Sequence, residues 1–527
     1  MCGFSSKKIF NHGTATKIIA CALLLVTIIF ISCRKEFPNH PPVANAGPDQ
    51  TINLPVNSVT LDGNSSTDPD NNIASYSWTK VSGPLSSTIV NANAVQTQVT
   101  GLVQVAYQFE LKVTDAAGLF SKDTVQVTVN SVPDDALSII SGTAVLSSFG
   151  SLSQAKFVVP ATAVDKLVFA GGYSDWVPTA TVDIYNLSAN AWSTAQISEK
   201  RGRLTVATVG NKILYAGGTT NNGRFSSRVD IYDAAANTWS TAELSMARSQ
   251  MTTAVAGNKA FFAGWEYSEF TNRVDIYDAS TNTWSTASLS EARNGLSAIA
   301  AGNKVFFAGG YRKFDSIDDG PYDFSTRVDI YDIATNTWST AELKEARSGM
   351  AVAAAGNKVF FAGGHYINDP MTGQGGMSKL VDVYDLSSNT WTTTTLSEPR
   401  NNIAAATAGS KILFAGGYGS SYSSSAVDIY DVSTNSWSTA RLSQQRAVSS
   451  TATLGNKVLF FTGGDDDYRR MDIYDASANS WSAAELNKSL RSIAIAAGNQ
   501  VFIGGGEVKA IGSSGSAFTN RVWKLQF

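Results

Sequence analysis

The chain has 527 residues, enough for two or three separate cores. Only 16% of them are charged and the formal charge is −3, with no basic tract of the kind that binds nucleic acid, while Gly, Ser, Thr and Ala abound as they do in extracytoplasmic β proteins. None of the three cysteines lies beyond residue 33, which excludes a thiol nucleophile, a cysteine metal ligand or a stabilising disulfide in the rest of the chain.

Residues 1–32 read as an export signal. Lys7, Lys8 and Lys17 precede an apolar run from Ile18 to Ile31 that is short for a bilayer span, and a small residue precedes Cys33. Phe30-Ile31-Ser32-Cys33 resembles a bacterial lipobox. The resemblance implies cleavage before Cys33 and lipid on that cysteine, and so a membrane attachment. Losing the three lysines takes the formal charge from −3 to −6. Residues 33–40 then form a tether, and the expected location is the cell envelope, as an outer-membrane lipoprotein facing either the periplasm or the outside.

Residues 41–130 alternate apolar and polar positions in short runs, as in Val59-Thr60-Leu61, Phe109-Glu110-Leu111-Lys112-Val113 and Val125-Gln126-Val127-Thr128-Val129. Turn clusters such as Asp68-Pro69-Asp70-Asn71-Asn72 separate the runs, which predicts a seven-strand sandwich. Pro42 to Gln50, Asp62-Gly63, Tyr76-Ser77-Trp78 and Val113-Thr114-Asp115 together resemble the PKD family, which implies an immunoglobulin-like spacer or binding module with Trp78 in its core. Asp68 and Asp70 fit a solvated turn better than a calcium site.

After a linker at 131–137, a repeat runs from 138 to 527. A hydrophobic-Asp-hydrophobic-Tyr segment occurs seven times, each Tyr followed seven residues later by a Trp, from Tyr185/Trp192 to Tyr474/Trp481. An apolar run ending in glycine precedes each segment, as in Lys304 to Gly310, and the period of 41 to 54 residues is propeller length. Within residues 347–394, Gly349 to Ala355 reads as an innermost strand of small residues. Lys358 to Gly364 reads as a second strand apolar on both faces, Val381 to Tyr384 as a third and Trp391 to Thr395 as the outermost. Apolar strand, Gly-Gly, Tyr and Trp at this spacing resemble the kelch repeat. The expected fold is therefore all-β: an immunoglobulin-like sandwich followed by a kelch-type propeller. Eight second strands can be counted, with seven blades left open, and the last unit lacks an outer strand. Gly142 to Ser147 resembles the end of one, so an N-terminal strand is expected to close the last blade.

Loops from strand two to three and from strand four to the next strand one share a face. The former vary most in length, longest at 311–326 and 365–380, and carry Tyr173, Trp176, Tyr267, Phe270, Tyr311, Tyr322, Tyr366, Tyr418, Tyr422 and Tyr468. Arg201, Arg248, Arg293, Arg347, Arg400 and Arg446 recur at the starts of innermost strands. They either ring the channel mouth as ligand-binding groups, as the kelch resemblance implies, or tie blade to blade through carbonyls and acids such as Glu291, Glu345 and Glu398. Candidate ligand-binding residues are these six arginines with Tyr173, Trp176, Tyr311, Tyr366 and Tyr418.

The expected function is a monomeric, non-catalytic binding or adhesion module for a glycan or protein ligand, without cofactor or metal. The alternative is a sugar mutarotase-like or other carbohydrate-active propeller enzyme. A galactose-oxidase-like copper site is excluded by ligand count, since the propeller has one histidine, His365, and no cysteine.

Overall fold

The computed structural model describes residues 38–53, 57–84, 87–103, 105–130, 137–264, 270–312, 323–369, 374–448, 450–461, 469–509 and 517–526. The signal segment, Cys33, Tyr267, Tyr322 and Tyr468 lie outside them. The chain divides into two compact units, Met1–Ala136 and Leu137–Phe527. Every regular element among the described residues is a β-strand.

The first unit is a sandwich of four and three strands. One sheet has the order Gln50–Asn53, Phe120–Asn130, Val105–Asp115, Ile73–Ser82, and the other Val59–Asp62, Gln96–Thr100, Thr88–Ile89. Strict in–out alternation, clearest in Val105–Asp115, sends Tyr107, Phe109, Leu111 and Val113 into one core with Leu61, Val125 and Val127. Trp78 is the buried tryptophan of that core, its indole N–H donating to the carbonyl of Ala94 at 3.1 Å. Gly63 is required there, because a Cβ would meet Leu111 at 2.8 Å and the Val95 carbonyl at 3.0 Å.

The second unit contains eight sheets of the kind read from residues 347–394. In the fifth, Ala351–Ala355 is innermost, followed by Lys358–Ala362, Leu380–Asp385 and the outermost Thr390–Thr395, all antiparallel. The second strand is buried on both faces, because neighbouring sheets pack against each side of it. Apolar clusters accordingly span pairs of sheets, as where Phe306 meets Phe361 and Tyr384. The outer hairpin is fixed by side chains. Tyr384 packs at a tilt against Trp391, 5.1 Å between ring centres, and its hydroxyl donates to Asn389, which sits at φ 53° in the turn.

The innermost strands of successive sheets lie against one another in chain order, and that of the eighth, Ser489–Ala497, lies against that of the first, Phe157–Ala163. Phe169 and Tyr185 of the first sheet share a core with Phe502 and Val522 of the eighth. The eighth sheet gains its outer strand from far upstream, Val145–Ser151 pairing antiparallel with Arg521–Gln526. This strand begins three residues later than the sequence suggested. Gly142 is a turn at φ 107°, and before it Ile139–Ser141 adds a fifth strand to the outer edge of the seventh sheet. The N-terminal segment therefore stitches two sheets.

Candidate functional site

Of the two readings of the arginines, the structure matches the tie through carbonyls and acids and corrects the ligand-binding ring. Arg201, Arg248, Arg293, Arg347, Arg400 and Arg446 are all buried side chains, not a ring at an open mouth. Each pairs with the aspartate of the third strand in its own sheet: Asp230, Asp275, Asp329, Asp382, Asp428 and Asp472 respectively. Arg347 Nη1 also donates to the carbonyls of Gly363 at 2.8 Å and Leu380 at 2.7 Å, filling the space where the second strand ends and the third begins. The carbonyl of Arg347 in turn accepts from the amide of Gly310 in the preceding sheet at 2.9 Å. Asp382 Oδ1 accepts from the amide of Lys344, on the segment leaving that preceding sheet. One ion pair thus ties a sheet internally and latches it to its neighbour.

The latch explains the glycine pair. Gly309 has φ 60°, and a Cβ on it would lie 2.3 Å from the Arg347 carbonyl. Burial lowers the pKa of all six guanidinium groups, an effect only partly offset by the facing aspartates, and raises that of Asp382. Lys156 does the same work in the first sheet, buried 3.0 Å from Asp183. Its carbonyl accepts from Gly506 of the eighth sheet at 2.8 Å. The eighth sheet has neither partner: Leu490 and Trp523, both buried, stand at the corresponding positions. Glu291, Glu345 and Glu398 accept from the hydroxyls of Ser325, Ser378 and Ser424.

Aromatic rings gather on the loop face. Tyr311 contacts Phe270 of the third sheet's loop and Phe324 of its own, and Phe324 contacts His365 of the fifth, so edge-to-face rings run across three sheets. Tyr173 and Tyr311 are half-buried, each lying on a glycine backbone where a Cβ would sit 2.1 Å (Gly202) or 2.4 Å (Gly295) from the ring. Tyr366 and Tyr418 stand on strand extensions of the fifth and sixth sheets. Trp176 is 63% exposed and contacts Phe157 and Phe518. Sequence reasoning missed these last two rings, which come from the innermost strand of the first sheet and a loop of the eighth. An open groove of about 410 Å³ at the second sheet is lined by Glu199, Phe225, Ser226, Ser227, Arg228 and Glu243. Its charges are paired, Arg228 with Glu243 at 2.9 Å and Ser226 with Glu199 at 2.7 Å. Among the described residues, no group of three or more His, Cys, Asp or Glu is placed to hold a metal ion.

These sheets define a kelch-repeat protein with an N-terminal PKD domain. The chain belongs to the kelch-repeat family: the profile of the KLHDC2/KLHL20/DRC7 Kelch-repeats domain matches residues 160–364 and again 295–506. The profile of a PKD domain, of the type found in KIAA0319-like proteins, matches residues 46–129. Over 91 residues, 17% of this chain, it is 46% identical to the mouse dyslexia-associated protein KIAA0319-like protein and to human dyslexia-associated protein KIAA0319, covering 9% and 8% of their lengths. It is 39% identical over 95 residues to human low-density lipoprotein receptor-related protein 11, covering 19% of it. The solution structure of the PKD domain from KIAA 1837 protein is 40% identical, with a TM-score of 0.17, over 19% of this chain and 97% of that one. Kelch repeats mediate protein binding, and both domain types are typically non-catalytic binding modules.

Proposed function

We propose that this chain is an envelope lipoprotein, anchored through Cys33, that captures a glycan or protein ligand on the loop face of an eight-bladed propeller without chemical turnover. The observation that carries this reading is a division of labour. Six arginines are consumed by the latches, whereas Trp176 and Tyr422 are exposed and Tyr173, Tyr311, Tyr366 and Tyr418 half-buried on the variable loops. Rings on a rigid scaffold offer large contact area at low entropic cost. The PKD domain serves as the spacer between lipid and propeller.

The test has two arms. Labelling with a fatty acid analogue should mark the wild-type chain and not Cys33→Ser. A screen of glycans and of envelope proteins should give a ligand whose binding falls at least tenfold in the combined Trp176→Ala, Tyr311→Ala, Tyr366→Ala variant. Unchanged binding would mean that the loop face is not the recognition surface. A mutarotase-like reading has one observation in its favour, the groove that holds Glu199, Glu243 and Arg228 together. Saturation-transfer NMR of free sugars would detect accelerated anomer exchange, and an unaltered rate would end that reading.

A further inference from the structure

Trp176 occupies a conformation that its own residue type disfavours. Ser174 pairs with Val177, leaving Asp175 and Trp176 as a two-residue hairpin turn. Their φ angles are 48° and 63°. Both positions of such a turn favour Asn, Asp or Gly, and glycine is the usual choice at the second. A bulky side chain with positive φ is an outlier, and such strain is held where it serves a purpose. Here it places an indole in solvent at the tip of the turn.

The indole is not alone. Its ring centre is 5.4 Å from Phe518 at an interplanar angle of 70°, and 6.3 Å from Phe157. Phe157 and Phe518 meet edge to face at 5.4 Å. These two brace the indole from beneath, so that it is a fixed platform. The guanidinium carbon of Arg491 lies over the Phe157 ring, 5.3 Å from its centre. Arg491 differs from the six latch arginines: its side chain is 52% exposed, and its contact with Glu507 is 3.9 Å long. A flat apolar face and a half-exposed cation therefore share Phe157 as their common neighbour.

We propose that this cluster is a subsite for a hexuronate-containing oligosaccharide. The C–H face of one pyranose stacks on Trp176, and the carboxylate of the same or the next residue takes a charge-assisted pair of hydrogen bonds from Arg491. The choice of an acidic sugar follows from charge: a neutral glycan would use the ring alone, whereas a uronate also offers the half-exposed guanidinium a closer partner than its 3.9 Å contact with Glu507. The site draws on the first and eighth sheets, so an occupied site also holds these two sheets together. Ligand should therefore raise the unfolding temperature.

This inference rests on the loop-face reading, and the experiment separates the two. Tetramers of galacturonate, mannuronate and glucuronate, each with its neutral methyl ester, are titrated calorimetrically into the purified full chain. At least one acid is expected to bind, tenfold or more tighter than its ester, and to raise the melting temperature. Arg491→Gln should bring the acid down to the affinity of the ester. Trp176→Asn should abolish binding while melting at or above the wild-type temperature, since asparagine tolerates the turn; this shows that lost binding is not lost folding. No binding by any of the three acids, or binding unchanged in Trp176→Asn, overturns the subsite. If binding is instead lost in Tyr311→Ala and kept in Trp176→Asn, the subsite is wrong and the loop face stands. If neither change matters, both are wrong.

Discussion

Lys156 Nζ lies 3.0 Å from Asp183 Oδ2, the ammonium fully buried, and so occupies in the first sheet the place that arginine fills in the next six. The lysine reaches Asp183 and the Thr181 carbonyl at 2.8 Å, but lacks the second arm with which Arg347 bridges two strands. Charge on a buried strand is therefore the invariant requirement of the latch, and the guanidinium fork is the better solution to it.

Removing one partner of such a pair leaves a buried charge unanswered. Arg347→Ala should destabilise the propeller by about 3–5 kcal/mol, because Asp382 keeps its desolvation cost and loses its counter-charge. Arg347→Lys should cost clearly less, on the precedent of Lys156. Denaturant unfolding of the three proteins measures both. A loss below about 1 kcal/mol for the alanine variant would contradict the latch.

The eighth sheet supplies the complementary experiment. Leu490 and Trp523 stand at the positions of the pair, and both belong to one apolar cluster with Leu459, Phe461 and Ile503. An apolar solution is thus compatible with the fold. Arg400→Met combined with Asp428→Leu should be less destabilising than either single change, a coupling of about 1–4 kcal/mol in the double-mutant cycle. Additive costs would show that the pair contributes nothing beyond its separate groups.

The repeat made the kelch sheets legible because each unit states the same local physics again: small residues innermost, a doubly apolar second strand, and a Tyr–Trp pair closing the outer hairpin. The sandwich was legible from alternation alone. For the arginines the tie stood beside the ligand ring as an open alternative, and the aspartate partners were not legible. Arginine is rarely fully buried, and its partner lies 26 to 36 residues downstream at an offset that changes with each loop. Fixed spacing therefore concealed the pairing. A signal did exist, since the acid inside the apolar third strand disappears in the one unit that also lacks the cation. The three-residue strand Ile139–Ser141 and the convergence of Phe157, Trp176 and Phe518 carry no local pattern at all; they arise only when the two ends of the repeat region meet.

Acid should weaken the outer hairpins. Asp233, Asp278, Asp332, Asp385, Asp431 and Asp475 start the outer turns and have lowered pKa values. So has Asp165, which accepts from the Ser188 hydroxyl of the first outer turn. For Asp278 the hydrogen bond from Lys259, then that from the Ser280 hydroxyl, holds the carboxyl at about 2 against an ordinary value of 3.8. A depressed folded-state pKa means that the stabilisation is complete above the unfolded value and is lost as pH falls through the folded one. The melting temperature should hold from pH 7 to about 5 and fall steeply between about pH 4 and 2. Asp278→Asn should lower stability at about pH 6 by about 0.2–1 kcal/mol and have less effect at about pH 2. A melting temperature that rises toward low pH would contradict the assignment.

The join between the two ends of the repeat region rests on Gly142. Its φ is 107°, and a Cβ there would lie 2.3 Å from the Ala483 carbonyl, so an alanine meets both backbone strain and backbone atoms that cannot step aside. Gly142→Ala should cost at least about 1–3 kcal/mol and loosen the segment that supplies strands to the seventh and eighth sheets. Gly498→Ala is the control, with φ 58° in the eighth sheet and nothing within 4 Å of the added carbon, so it carries strain without collision. Limited proteolysis should cut Gly142→Ala near residues 137–151 faster than the control. Once Val145–Ser151 leaves, Arg521–Gln526 becomes an unpaired edge, and unpaired edges recruit other strands. Light scattering should therefore detect self-association in Gly142→Ala alone. Equal cleavage and equal scattering in the two variants would mean that the eighth sheet does not depend on the N-terminal strand for its closure.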